Sequence, residues 1–171
     1  VIGYTFSDTT RGEVGSNAVP DLLFYHLERD PLEQVLPLLL EKSLARGWRC
    51  AVQVGSRERM ESLDTVLWTY RDESFLPHGT EAEQAAGRQP VLLTTADENR
   101  NDARIRFFVD GAEITAPGGY DRLVYMFNGH DDAATQKARE TWKWAKAQPE
   151  GALTAVTYWR QNANGGWEQK A

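Results

Sequence analysis

The sequence predicts a single α/β domain with a mixed or mainly parallel central sheet flanked by helices. Three observations carry this. The chain from Asp21 to Val54 reads strand, helix, strand, the βαβ order. Beyond it, short apolar runs keep alternating with polar turns and stretches of helical period. A length of 171 residues suits one domain with a sizeable core.

Residues 1–20 are rich in Ser, Thr, Gly and Asn and hold no sustained period, so they read as a flexible extension before a domain spanning 21–171. They show no charged start followed by an apolar run, so no secretory signal is expected. Asp21 to Leu27, DLLFYHL, is a continuous apolar and aromatic run, expected as a buried first strand. Asp30 stands as N-cap of a helix with Pro31 at its first position. Leu32, Val35, Leu36, Leu39 and Leu40 form one apolar face running to Ala45. Pro37 should kink or tighten the first turns, and Gly47 should close the helix.

Arg49 to Val54 is the second strand, and Gly55-Ser56 turns into a second helix from Arg57 to Thr69. Leu63, Val66, Leu67 and Tyr70 share its apolar face. The charged break Arg71-Asp72-Glu73 follows, and Pro77 biases Leu76 toward extended geometry. Gly79 to Gln89 reads as a polar loop and Val91 to Thr94 as a third strand. Ala96 to Asp102 is a polar turn with Asn99 and Asn101 as turn residues. Ile105 to Val109 and Leu123 to Phe127 are the fourth and fifth strands, separated by the Pro117-Gly118-Gly119 loop.

The last helix runs from Asp131 to Lys146, with Asp131 and Asp132 at its positive end and Lys143 and Lys146 at its negative end. Leu153 to Trp159 reads as a final strand with Val156 and Tyr158 on one face and Thr157 and Trp159 on the other. Asn164-Gly165-Gly166 then turns toward Trp167, as in a C-terminal hairpin.

Composition narrows the function classes. A net charge of -6 argues against broad direct binding to nucleic acid, leaving room only for a local basic patch. No apolar run approaches the roughly 18 residues of a membrane span. The single cysteine, Cys50, rules out an internal disulfide and fits a cytoplasmic setting, with the thiol expected to be buried. His26, His78 and His130 lie far apart and in no zinc spacing, and no GxSxG is present. Neither metal nor cofactor nor catalytic residue is therefore expected. A hydrolase built from Asp64, His78 and Glu81 is conceivable, but nothing in the spacing selects it. The Gly55-Ser56 turn leaves two readings open. It could cradle a phosphate in a nucleotide-dependent enzyme, although it matches neither glycine-rich fingerprint, or Ser56 simply caps the helix.

Two stretches point to partners. In the last helix Lys137, Arg139, Lys143 and Lys146 meet only one acid, Glu140, between positions 137 and 146. Arg139, Trp142, Lys143 and Lys146 fall on one face, and cations around an aromatic suit an acidic peptide with an apolar end. The alternative is a core Trp142 bordered by lysines that snorkel to water. In the second stretch, Phe75 and Leu76 stand between charged and turn residues, as a contact surface would, or else tuck under the loop into the core.

The second stretch also carries a resemblance. Leu63-Asp64, Leu67-Trp68 and then Ser74-Phe75-Leu76-Pro77-His78 resemble the signature of the chi subunit family of bacterial DNA polymerase III holoenzyme, and the likeness extends more weakly from Asp21 to the C-terminus. The resemblance implies a Rossmann-like fold with no catalytic activity of its own, serving a DNA-directed DNA polymerase holoenzyme as an accessory of its clamp-loader assembly. It implies two partners. One is the acidic C-terminal tail of single-stranded DNA-binding protein. The other is a psi subunit, or a substitute linking to the clamp loader, with a helicase-like protein as its competitor. Neither direct specific nucleic-acid binding nor a membrane is implied. Ala138-Arg139-Glu140-Thr141-Trp142-Lys143 matches the family's tail-binding pattern, which assigns Arg139, Trp142 and Lys143 to the tail; Lys146 joins them by helical spacing alone. Trp68, Phe75, Leu76 and Pro77 correspond to the other partner surface. The C-terminal stretch through Tyr158 to Trp167 is longer than in the shortest members and is placed to modify either site.

Overall fold

The computed structural model describes residues 18–171, so the expectation for residues 1–17 lies outside it. At the entry to the domain, the Pro20 carbonyl accepts the Thr154 N–H (2.9 Å) and the Ala18 carbonyl accepts that of Gly119 (3.3 Å). In chain order the elements are β1 (Asp21–Leu27), α1 (Leu32–Ala45), β2 (Cys50–Val54), α2 (Arg57–Thr69), β3 (His78–Thr80), β4 (Val91–Thr94), β5 (Ile105–Val109), β6 (Arg122–Asn128), α3 (Asp132–Lys146), β7 (Val156–Gln161) and β8 (Trp167–Gln169). The strands form one eight-stranded sheet, ordered β3-β4-β2-β5-β6-β1-β7-β8. All neighbours are parallel except the β7–β8 hairpin.

Strand alternation builds two cores. Leu23, Tyr25 and Leu27 of β1 and Val124 and Met126 of β6 join the core under α1 and α2. Leu22 and Phe24, with Leu123, Tyr125 and Phe127, join the core under α3. Both faces are covered, which is why the central strands read as continuous apolar runs. The crossover α1 carries the chain from β1 to β2 across β5 and β6. Its C-terminus is closed by Gly47 at φ 78°, where the Gly47 N–H reaches Leu44 O (2.9 Å) and the Trp48 N–H reaches Ser43 O (3.1 Å). That pair of bonds is a Schellman motif, and its left-handed residue favours glycine. Ser56 caps α2 by accepting the Arg59 N–H (3.3 Å), and Asp131 caps α3 by accepting that of Ala134 (3.0 Å).

The sheet face beside α3 is covered over β2 and β5 by loops, and Arg106 holds them. This guanidinium is buried (1% exposed). Its Nε and Nη2 donate to Gln53 Oε1 (3.0 and 2.8 Å), its Nη1 to Glu98 O (3.3 Å) and Tyr120 OH (3.1 Å), and its Nη2 also to Ala96 O. The guanidinium thereby ties the partly buried carbonyls of the loop to the sheet.

Several expectations need correction. Pro31, not Asp30, is the N-cap of α1, and it offers no side-chain bond. The Asp30 carboxylate instead accepts from Gln161 Nε2 (2.9 Å). The loop expected from Gly79 to Gln89 gives its start to β3, an edge strand that extends the sheet beyond β4, and contains a short 3-10 turn at Ala86–Arg88. Asn101 does sit in a turn, as expected, but it is buried there and donates to Cys50 O (2.9 Å) and Gln89 O (3.0 Å). The second strand begins at Cys50 rather than Arg49. The last long strand is Val156–Gln161, shifted from Leu153–Trp159, because pairing with β1 runs from Val156 to Arg160.

Candidate functional site

The α3 face begins with small residues. Ala138 and Ala145 are buried, with Ala134 partly buried, so the helix lies close over Phe24, Tyr125 and Phe127. Trp142 stands at the border of this contact. It is half-buried, edge-on to Phe24 (centroids 5.2 Å) and to Tyr158 of β7 (5.7 Å). The Lys146 ammonium lies 5.2 Å from the centre of its ring. Arg139 and Lys143 are exposed, and among the described residues neither makes an ion pair or a side-chain hydrogen bond. The structure thus brings Arg139, Trp142, Lys143 and Lys146 onto one surface with two cations available.

Tyr158 belongs beside this face, although its own spacing only set it opposite Trp159. Its hydroxyl lies 2.5 Å from His26 Nδ1, and His26 Nε2 lies 2.8 Å from Glu28 Oε1. Burial pushes the Tyr158 hydroxyl above its ordinary pKa, against the pull of Arg160 and Arg139. Arg160 in turn pairs with Glu28 (2.9 Å). Extending the alternation of β7 by one more step, from Tyr158 to Arg160, would have found this second residue.

The other surface lies where α2 ends. Trp68 and Phe75 are 55% and 75% exposed, with ring centroids 6.1 Å apart. Pro77 is half-buried. Leu76 corrects its assignment: it is 2% exposed and packs in the core under α1 and α2, so it is not offered to a partner. The two adjacent side chains thus end in opposite environments, Phe75 in water and Leu76 in the core.

His78 and Asp64 do meet, at 3.1 Å, but the His78 side chain is fully buried, and its Nδ1 lies 2.7 Å from Leu76 O. Glu81 stands apart, accepting from both Thr94 and Thr95. Burial raises its carboxyl and these hydrogen bonds outweigh that, leaving it below the usual carboxylate range. A Cβ on Gly55 would lie 2.1 Å from Asp110 O, so the backbone that follows β5 approaches this turn closely and leaves no room for a side chain. Ser56 Oγ is engaged as the cap. Cys50 is buried, and burial pushes its thiol up to about 12, which leaves it unreactive.

A cleft of about 670 Å³ opens at the carboxyl ends of β1 and β6, whose chains leave toward opposite faces of the sheet. Its rim carries Glu28, Asp30, Glu33, Asp110 and Asp131. Arg59 there is held between Glu33 and Asp110, both at 3.1 Å, and Lys137 is bonded to Gly111 O (2.6 Å). Cations already engaged by carboxylates and a carbonyl leave little to receive a nucleotide's phosphates. No group of three or more His, Cys, Asp or Glu suited to a metal ion occurs among the described residues, and no helix there is long and apolar enough to cross a membrane.

Fold and surfaces together define an α/β protein that exposes a cationic aromatic face and a pair of bare aromatic rings. Comparison with known proteins gives the family. Residues 20–150 match the family model described as "DNA polymerase III chi subunit, HolC". The chain belongs to the DNA polymerase III chi subunit family. It is 24% identical to the probable DNA polymerase III subunit chi of Rickettsia prowazekii over 90 residues, 53% of this chain and 54% of that protein. It is 25% identical to the DNA polymerase III subunit chi of Pseudomonas aeruginosa over 118 residues, 67% of this chain and 79% of that protein. The chain thus spans about half the length of the Rickettsia relative. The β7–β8 hairpin lies beyond the matched range.

Proposed function

We propose that this chain is a non-catalytic adaptor in the replication machinery, joining DNA coated with single-stranded DNA-binding protein to the clamp-loader assembly. The observation that carries the reading is the α3 face, where Arg139 and Lys143 stand exposed beside a half-buried Trp142. An acidic peptide would place its carboxylates against the two cations and its apolar end against the indole. In this reading the occupant is the acidic C-terminal tail of single-stranded DNA-binding protein. Trp68 and Phe75 would take the second partner, a psi subunit or a substitute, in competition with a helicase-like protein. The Gly55-Ser56 turn matches neither glycine-rich fingerprint and its Ser56 hydroxyl caps α2, which disfavours the rival reading, a nucleotide-dependent enzyme.

Titration calorimetry with the tail peptide tests the proposal. Arg139→Glu or Lys143→Glu should lose most of the affinity, because attraction turns to repulsion. Added salt should weaken the charged part and spare the apolar part. Removing the peptide's terminal aromatic residue should abolish binding. A truncated peptide that binds as well as the intact one would reduce the face to a general basic surface.

A further inference from the structure

We propose that the Trp68–Phe75 surface docks a cationic protein segment: an apolar anchor flanked by lysine or arginine. This rests on the reading of that surface as a partner site, and it adds the charge the partner must carry.

Trp68, Phe75 and Val19 are the large apolar side chains left exposed among the described residues, and only the two rings touch each other. The indole of Trp68 is backed by the buried His78 ring (centroids 4.6 Å), so the pair is a held surface and not two loose side chains. Rings so exposed and so supported are suited to an apolar anchor. The charges beside them are unequal. From Asp64 to Phe75 the chain carries Asp64, Asp72 and Glu73 against Arg71. Asp64 is turned inward to His78. The Arg71 guanidinium is drawn over the Tyr70 ring (5.9 Å) and toward Ser74 Oγ (3.5 Å). Asp72 and Glu73 are exposed and form no ion pair among the described residues. They sit in the turn closed by the Ser74 N–H to Arg71 O bond (3.2 Å), immediately before Phe75. A segment approaching the rings therefore meets negative charge, which attracts lysine and arginine and repels acids. The α3 face has the opposite sign, so the two surfaces sort their partners by charge, and an acidic tail is kept off the aromatic pair.

The probe is a library of random peptides displayed on phage and selected on the full chain. Selected peptides are then measured against Phe75→Ala and against the double variant Asp72→Lys with Glu73→Lys. The expected peptides place Phe, Trp or Leu between Lys or Arg, lose about tenfold or more in affinity on either variant, and weaken as salt rises. If the peptides that need Phe75 have neutral or acidic flanks, or bind the double variant as well as the parent, the charge proposal is overturned while the docking surface stands. If no selected peptide loses affinity on Phe75→Ala, the surface reading itself fails, and the proposal with it.

Discussion

The indole of Trp142 stands edge-on to Phe24, with ring centroids 5.2 Å apart and planes at 75°. Two readings of Trp142, a core residue and a binding residue, were open from spacing alone, and the geometry accommodates both. The inner edge of the ring packs on β1, while the half-buried remainder lies under Lys146. One side chain thus couples the stability of α3 to the shape of its exposed face.

Trp142→Ala should therefore lower unfolding stability by about 3 kcal/mol, the lower end of the loss for a large aromatic core residue, since the ring is only half-buried. Arg139→Glu, on the same face but exposed, should stay within about 0.5 kcal/mol of the parent. Urea unfolding of the two variants measures the difference. Equal losses would mean that Arg139 also has a structural partner.

Phe75 and Leu76 are adjacent yet should respond oppositely. Phe75→Ala should leave the denaturation midpoint nearly unchanged, within about 0.5 kcal/mol. Leu76→Ala removes a side chain from the core and should cost about 2–5 kcal/mol. A large loss for Phe75→Ala would place its ring in the core and remove it from the partner surface.

Arg106→Met keeps much of the side-chain volume and deletes all the donors. It should cost about 3–5 kcal/mol, because the buried Gln53 and Tyr120 OH would be left with unmet hydrogen bonds and the partly buried contacts to Ala96 O and Glu98 O would be lost. Hydrogen exchange should show the loss first in the loops around residues 96–98 and 120. A neutral substitution would show that these loops are held by other contacts.

His26 should make stability fall on mild acidification. Burial holds its imidazole below the ordinary value of 6.5; Glu28 raises it, while Arg160 and His130 lower it. Below about pH 6.5 the unfolded chain takes up a proton that the folded chain resists. The contribution is complete above that value and is lost as pH falls through the folded pKa. His26→Gln should flatten this part of the profile, measured as the difference in unfolding free energy between about pH 7.5 and 5.5. An unchanged difference would assign the acid sensitivity to another group.

The sequence by itself determined the local elements and one of the two surfaces. The apolar period of α1 ends at Ala45 as expected, and Gly47 closes it, because a helix face and its left-handed cap are both written within a few neighbouring residues. The same holds for α2, capped by Ser56, and for the face shared by Arg139, Trp142, Lys143 and Lys146, where helical spacing alone aligns the side chains. Only the tertiary structure decided the rest. Which of Phe75 and Leu76 turns outward depends on α2 packing above β3, an edge strand too short to announce itself. That position 55 has no room for a side chain depends on Asp110, carried there by β5. That Arg106 is a buried brace and Asn101 a buried donor depends on loops folding back over the sheet. These outcomes rest on contacts between segments far apart in the chain, and periodicity within one segment carries no record of them.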